Sequence, residues 1–223
     1  MKLLKHTILP ILTGLLFVYS ALWRLLLFSY DSLFFICAYL LLAAALFRRR
    51  RDVLLIVGTA VLICARLLLF LHFRTFDFAD EVQMFVPLWA MMAGIYLAGA
   101  ILLLIPILIN VAPNLKKYRP YANPLWFLPG LVMLAGIVVY GMMLASAMGQ
   151  SAVQGIMTGI WSLNRVNTSM ADAIGTLLIP LWMKLCAIED LKPYEDMVGQ
   201  MITPEQLEEK RKELGLANQK AAR

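Results

Sequence analysis

Arg66 is the residue in this chain whose surroundings demand the most explanation. It stands inside an apolar run, residues 52–73. Counting from Asp52 at about 1.5 Å per helical residue places it about 21 Å along that run. In a hydrocarbon core about 30 Å thick, that is the outer third. A charge at such a depth costs roughly 2.5–3.5 kcal/mol on insertion scales unless it is paired or snorkels to the headgroups. Arg24 stands at a similar height on the first apolar run, and Asp31, Asp77, Asp80 and Glu81 fall on the same side. Guanidinium groups near carboxylates would make an outward-facing polar site for an anion, a lipid headgroup or a substrate, or part of an ion path. The structural alternative is that both arginines snorkel, or pair with loop acids to fix helix packing. The acids expected to pair with Arg66 are Asp31, Asp77, Asp80 or Glu81.

Asp172 is a second carboxylate in apolar surroundings, a position that suits a proton relay. However, Ser169-Met170-Ala171-Asp172 has the form of a capping box. That spacing predicts a helix starting at about residue 170, with Asp172 in its first turn, where the helix dipole favours an acid. Pro180 falls in the middle of the same run and predicts a kink.

No catalytic set accompanies these groups. The chain has no HExxH, P-loop, GxSxG or dinucleotide fingerprint. Its histidines, His6 and His72, lie at a terminus and at the end of an apolar run. Cys37, Cys64 and Cys186 form no CxxC pair and read as small buried hydrophobes. Neither a cofactor nor a metal site is expected, and catalysis is the weaker functional class.

The elements that must hold these residues are membrane helices. The 223 residues are 61% hydrophobic and 15% charged, with mean hydropathy +0.77. Soluble domains are nearer 45–50% apolar and about 25% charged. The apolar residues come in blocks long enough to span a bilayer, which takes about 20 residues per helix. Lipid cannot hydrogen-bond a bare backbone, so the blocks must be helices. The expected fold is an all-α polytopic bundle of about six spans, with a transmembrane domain over 1–189. The spans cover about residues 7–28, 30–47, 52–73, 82–111, 125–148 and 170–188. The first 23 residues also have the outline of a signal peptide, with Lys2 and Lys5 before an apolar stretch, but they are read here as the first span. Pro87 lies at the start of the fourth span, where proline is tolerated, and Pro106 lies deeper.

Charge sets the orientation. Lys2, Lys5, Arg48 to Arg51, Lys116, Lys117, Arg119 and Lys184 all fall at one set of span ends, beside a single acid, Asp52. The opposite ends carry Arg24, Arg66, Arg74 and Arg165 with Asp31, Asp77, Asp80, Glu81 and Asp172. The positive-inside rule then places both termini in the cytoplasm of a cell bounded by a plasma membrane, as in a bacterial inner membrane. The net charge of +6 is explained by topology and contact with anionic lipid, not by nucleic acid.

Residues 150–164 are apolar but too short to span. Gln150, Gln154 and Thr158 recur at four, so one helical face is polar. The segment suits an interfacial helix, a re-entrant half-helix or, least well, a short span. Small residues also repeat at four: Gly94 and Ala98; Gly141, Ala145 and Gly149; Ser151, Gly155 and Gly159. Such stripes let helices approach closely.

The tail, 190–223, is charged and reads as cytoplasmic. Thr203, Pro204 and Gln206 form a helix start with a capping box, Glu208 and Lys212 a supporting pair, and Gly215-Leu216 a stop. Only Leu207 and Leu214 give that helix an apolar side, so it is expected to meet mostly solvent. Leu191, Tyr194, Met197, Val198 and Met201 form a better stripe for the membrane or a partner.

Three functions fit. The first is a non-enzymatic integral subunit of a larger membrane assembly serving transport, secretion or ion conduction, with other membrane subunits or further copies of itself as partners. The second is a stand-alone transporter or channel with an outward-facing polar site near Arg24 and Arg66. The third is a lipid-modifying enzyme using Asp77, Asp80 and Glu81.

Overall fold

The computed structural model describes residues 7–26, 32–48, 53–78, 80–111, 127–147, 149, 164–198 and 201–214. Among these residues there are eight helices and no strand. They are α1 (Leu9–Leu26), α2 (Ser32–Phe47), α3 (Val53–Thr75), the single turn α4 (Asp80–Gln83), α5 (Val86–Val111), α6 (Leu128–Ala147), α7 (Asn164–Asp196) and α8 (Pro204–Glu213). Four stretches are long and apolar enough to cross a membrane: Leu9–Leu26, Val53–Thr75, Val86–Ile109 and Met170–Asp196. Ser32–Phe47 and Leu128–Met143 are apolar but shorter.

Within these helices three threonine hydroxyls are satisfied locally. Thr13, Thr59 and Thr75 each donate to the carbonyl four residues back, at 2.8 Å, onto Leu9, Leu55 and Leu71. This back-bonding lets a threonine sit in an apolar helix without an unpaired donor. The run expected over 82–111 is broken: α4 ends at Gln83, and α5 starts at Val86 with Pro87 in its first turn, where no intrahelical N–H is required. The 150–164 segment lies outside the described residues.

Six long helices close a ring. α1 packs on α2, α2 on α3, α3 on α5, α5 on α6, α6 on α7, and α7 returns to α1. The inward face of α2 carries Ser32, Phe35, Tyr39, Leu42 and Leu46, all buried at helical spacing. Close approach around the ring depends on particular glycines. A Cβ on Gly175 of α7 would sit 2.8 Å from the Phe17 ring of α1, and one on Gly130 of α6 would sit 2.7 Å from Leu177 of α7. Real side chains do not tolerate such distances, so α7 reaches both neighbours only because these positions are bare.

The final long helix differs from its expected form. α7 starts at Asn164, not near 170, and runs 33 residues to Asp196, through Pro180 and Pro193. Asp172 is therefore in its third turn and is not a first-turn capping acid. The Ser169 box would cap a helix beginning there, but no breaker separates Asn164 from Ser169, and the helix starts upstream. Likewise the charged residues after Ile188 change the solvation of the helix without ending it.

The tail helix also departs from expectation. Its start is as the sequence predicts: Thr203 N–H donates to Gln206 Oε1 at 2.9 Å, and Gln206 N–H donates to Thr203 Oγ1 at 3.4 Å. Glu208 and Lys212 stand 3.8 Å apart. Yet α8 does not simply meet solvent. Leu214 is buried and Leu207 partly so, in one cluster with Leu191 of α7. Arg211 pairs with Glu195 of α7 at 3.0 Å, and Lys210 stands 5.0 Å from the Tyr194 ring centroid. Two leucines suffice because α7 extends far enough to receive them. Conversely, Tyr194, Met197 and Met201 of the expected stripe are exposed.

Leu214→Ala should undock α8, raising amide exchange over 204–213 and losing about 2 kcal/mol of local stability, while the melting temperature of the bundle barely moves. Glu205 is held below the usual glutamate range by hydrogen bonds from its own backbone and from Thr203. A lowered acid stabilises the fold above its ordinary pKa, and that contribution is lost as pH falls through the lowered value. α8 should therefore fray on acidification, read by exchange of the same amides.

Candidate functional site

Arg66 lies on the inward face of α3, one turn beyond Leu62, and is 2% exposed. Its guanidinium contacts three elements. Nη2 donates to Asp172 Oδ2 on α7 in a buried ion pair. Nη1 donates to the Tyr96 carbonyl on α5 at 2.6 Å. The guanidinium carbon stands 5.2 Å from the Tyr96 ring centroid. The same Asp172 oxygen accepts the hydroxyl of Tyr39, on α2, at 2.8 Å. One cluster thus links α2, α3, α5 and α7. In the ring order, α3 and α7 stand opposite one another, so the ion pair crosses the centre of the bundle.

Among the described residues the acidic partner of Arg66 is therefore Asp172, 106 residues away in sequence. Asp77 and Asp80 are exposed. Asp31 and the side chain of Glu81 lie outside the described residues. The capping motif hid Asp172 from sequence reasoning. Two signals pointed to it. Asp172, Thr176, Ile179 and Met183 recur on one helical face, and Asp172 and Arg66 fall at the same set of span ends expected from the sequence.

Arg24 does not join the pair directly. It lies on α1 with its guanidinium 4.3 Å from the Phe35 ring centroid on α2. Phe35 is one turn from Tyr39, with ring centroids 6.1 Å apart, and Tyr39 lies within electrostatic reach of Asp172, Arg66 and Arg24. Arg24 thus forms a second cationic layer beside the first. Phe17 of α1 also stacks on Tyr39, with ring centroids 6.0 Å apart.

The centre is not fully saturated. Among the described residues, Asp172 Oδ1, Arg66 Nε, Thr176 Oγ1, Ser20 Oγ, Trp23 Nε1 and Arg24 Nε are buried without a hydrogen-bond partner. Six in a chain of 223 residues is within the few per hundred that native proteins carry. They come from α1, α3 and α7.

The expected packing residues divide. Gly141 and Ala145 are buried on α6. A Cβ on Gly94 would meet only Phe70, at 3.3 Å, and Ala98 is exposed. Gly149 has φ +65° with no described residue near its Cβ position, and its N–H donates to the Ser146 carbonyl at 3.2 Å. It is a left-handed stop after α6 and not a packing residue. Gly155 and Gly159 lie outside the described residues. Beside Gly94, an open cleft of about 450 Å³ between α3 and α5 is lined by Phe70, Phe73, Pro87, Ala90 and Met91, with Arg74 at its edge. Among the described residues no group of three His, Cys, Asp or Glu could hold a metal.

The electrostatics predict an asymmetric response to mutation. Arg66→Met leaves a buried carboxylate with only Tyr39 and should destabilise the protein in detergent by about 3–5 kcal/mol. Adding Asp172→Leu should restore most of that loss. Tyr39→Phe keeps both ring contacts and removes one charge-assisted hydrogen bond, for about 1.5–3 kcal/mol. A thermal-melt double-mutant cycle measures all three. A double mutant no more stable than Arg66→Met would show that the two residues are not energetically coupled.

No family model, curated protein or solved structure matches this chain.

Proposed function

We propose that this chain is a non-enzymatic, six-span membrane protein of the transport class, whose working group is the carboxylate of Asp172. The observation that carries this reading is the Arg66–Asp172–Tyr39 cluster, which joins opposite helices of the ring while leaving one carboxylate oxygen without a partner among the described residues. Ionisable groups inside membrane bundles are expensive and belong mostly to ion, proton or substrate pathways. An acid held by an arginine and a phenol can change charge, and the change alters what holds the two sides of the ring together.

The six-span reading draws support from packing: α2 and α6, though short, each sit in the ring between longer apolar helices. Both termini are cytoplasmic on this reading, in a plasma membrane of the bacterial inner-membrane type, because the basic residues cluster on that side. The end of α7 beyond Ile188, with α8 docked on it, is then a cytoplasmic projection.

A second reading is that of an integral subunit in a larger assembly. It draws on the surface that α8 leaves uncovered. Tyr194 and Met197 are exposed, and Met201 is 82% exposed, beside a docked helix that holds them in place. The lipid-modifying alternative has less support. Asp77 and Asp80 are exposed, and no further group gathers around them among the described residues.

Two experiments test the proposal. Proteoliposomes containing a pH dye, given gradients of a solute panel, should show lumenal pH changes with the native protein and none with Asp172→Asn. If the native protein moves nothing beyond protein-free vesicles, and purifies in mild detergent only as part of a larger complex, the subunit reading replaces this one. For topology, Asn114→Cys, with the native cysteines replaced, should resist an impermeant thiol reagent in intact cells. Labelling it from outside would overturn the orientation.

A further inference from the structure

The open cleft between α3 and α5 takes no part in the Arg66–Asp172 cluster. It holds about 450 Å³, and its walls follow from helical spacing. Val86, Ala90 and Gly94 recur at four along one face of α5, and Phe70, Phe73 and Arg74 stand across from them on α3. Ala90 and Gly94 have little or no side chain, so the two rings meet a shallow floor. A Cβ on Gly94 would stand 3.3 Å from the Phe70 ring. Of the eight residues that line the cleft, Arg74 alone is polar.

The cleft lies at a span end. α3 and α5 are both long and apolar enough to cross a membrane, and the cleft is at the end where α3 stops at Thr75 and the exposed Asp77 follows. Beside it Trp89 packs on Phe73, Phe78 and Phe85, with ring centroids 5.7, 6.1 and 6.2 Å away. Tryptophan at such a position is characteristic of headgroup level. From Val86 to Gly94 the groove follows α5 inward for about 12 Å at the helical rise. Half of the hydrocarbon core is about 15 Å, so the groove covers most of one leaflet. Arg74 is exposed at the mouth, its guanidinium carbon 5.8 Å from the Phe70 ring centroid. It makes no ion pair among the described residues.

We infer that this cleft is a phospholipid site, in which one acyl chain lies in the groove and the lipid phosphate pairs with Arg74. Three features select that occupant. The groove runs into the leaflet over a length that suits a chain. Inward of Arg74 its lining offers a polar ligand nothing to bond. At the mouth, the planar guanidinium fork matches phosphate oxygens, and the helix dipole of α3 already favours a cation there. A soluble anion would use Arg74 and leave the groove unfilled. A neutral lipid would fill the groove and leave Arg74 without an anion. A phospholipid meets both requirements. The site lies apart from Asp172 and requires no transport activity, so it stands or falls independently of that residue's role.

The test is native mass spectrometry of purified full-length protein released from mild detergent. The probes are phosphatidylglycerol, a diacylglycerol with the same chains, and sodium phosphate. The expected spectrum shows one phosphatidylglycerol retained per chain ahead of any further lipid, and much weaker retention of the diacylglycerol. Arg74→Gln should weaken phosphatidylglycerol retention about tenfold through loss of a charge-assisted contact, and Arg74→Lys should weaken it less. Gly94→Leu places a side chain in the inner end of the groove and should weaken retention about tenfold with Arg74 still present. Thermal melts report whether each variant is folded. Both Arg74 variants alter an exposed side chain, so they decide the outcome if Gly94→Leu does not fold. Equal retention of diacylglycerol and phosphatidylglycerol, or no response to Arg74→Gln, would overturn the phosphate contact and with it the assignment. A ladder of lipids with no preferred first one, unchanged by a folded Gly94→Leu, would reveal only general coating of apolar surface and overturn the site. Loss of the retained lipid on adding sodium phosphate would reassign Arg74 to the free anion. No lipid retained by folded native protein would overturn the inference outright.

Discussion

A guanidinium group cannot lose its proton in a protein and cannot remain bare in hydrocarbon. That constraint organises the centre of this bundle. Arg66 projects from α3 inside an apolar helix, and three other helices supply what it requires: a carboxylate from α7, a backbone carbonyl from α5 and, through the carboxylate, a phenol from α2. Lysine could not meet the same set. Its ammonium is a point charge, whereas the planar fork of arginine serves an oxygen at each terminal nitrogen and presents a face to the Tyr96 ring. The ion pair spans helices that are not neighbours in the ring. Its length therefore limits how far apart α3 and α7 can stand.

The surrounding packing is compatible with that limit. α7 must come close enough for a short aspartate to reach the centre, and the bare positions Gly175 and Gly130 let it approach α1 and α6 closely. Phe17, Tyr39 and Phe35 then form a run of aromatic contacts that walls one side of the charged cluster. A wall of rings excludes water and strengthens the electrostatics inside it, but it also makes every unpaired polar atom more expensive. Replacing a buried ion pair with apolar residues of similar volume is often neutral or stabilising. Stability alone is therefore a poor explanation for this pair, in which Asp172 Oδ1 and Arg66 Nε have no hydrogen-bond partner among the described residues.

Much of the fold was legible because it follows from solvent and local backbone rules. Apolar run length and the backbone's need for hydrogen bonds give the helices, and local rules give the Thr203 cap. What was not legible follows from tertiary choice. Ser169 and Asp172 satisfy a local rule that the chain does not use, because Asp172 has a stronger partner on another helix. The exposed acids Asp77 and Asp80 looked like partners for Arg66 by nearness in sequence, yet Arg66 faces the ring interior and they do not. Gly149 matched a packing period but terminates a helix, since a repeat of four cannot distinguish a small side chain from a left-handed turn. The docking of α8 depended on how far α7 extends past Ile188, which no apolar pattern recorded.

That extension has a mechanical consequence. α7 carries Asp172 near one end and Glu195 near the other, about 35 Å apart at the helical rise. It touches both the charged centre and the tail: Arg66 and Tyr39 hold it at the first point, and Arg211 and Leu214 at the second. Its inner end also contributes Ile179, Trp182 and Met183 to the tightest part of the core, so α7 resists bending toward its neighbours. Pro180 and Pro193 interrupt its hydrogen bonding between and beside these anchor points. A helix gripped at two places and weakened between them can absorb a change at one grip by bending there, or transmit it by sliding. Close packing at Gly175 and Gly130 opposes sliding, because a shift of one turn would bring full side chains against Phe17 and Leu177. A bend would fall at Pro180, where the helix lacks a backbone donor, and there it meets the buried side chains of Ile179, Trp182 and Met183, so the two grips of α7 are held in register by the core between them.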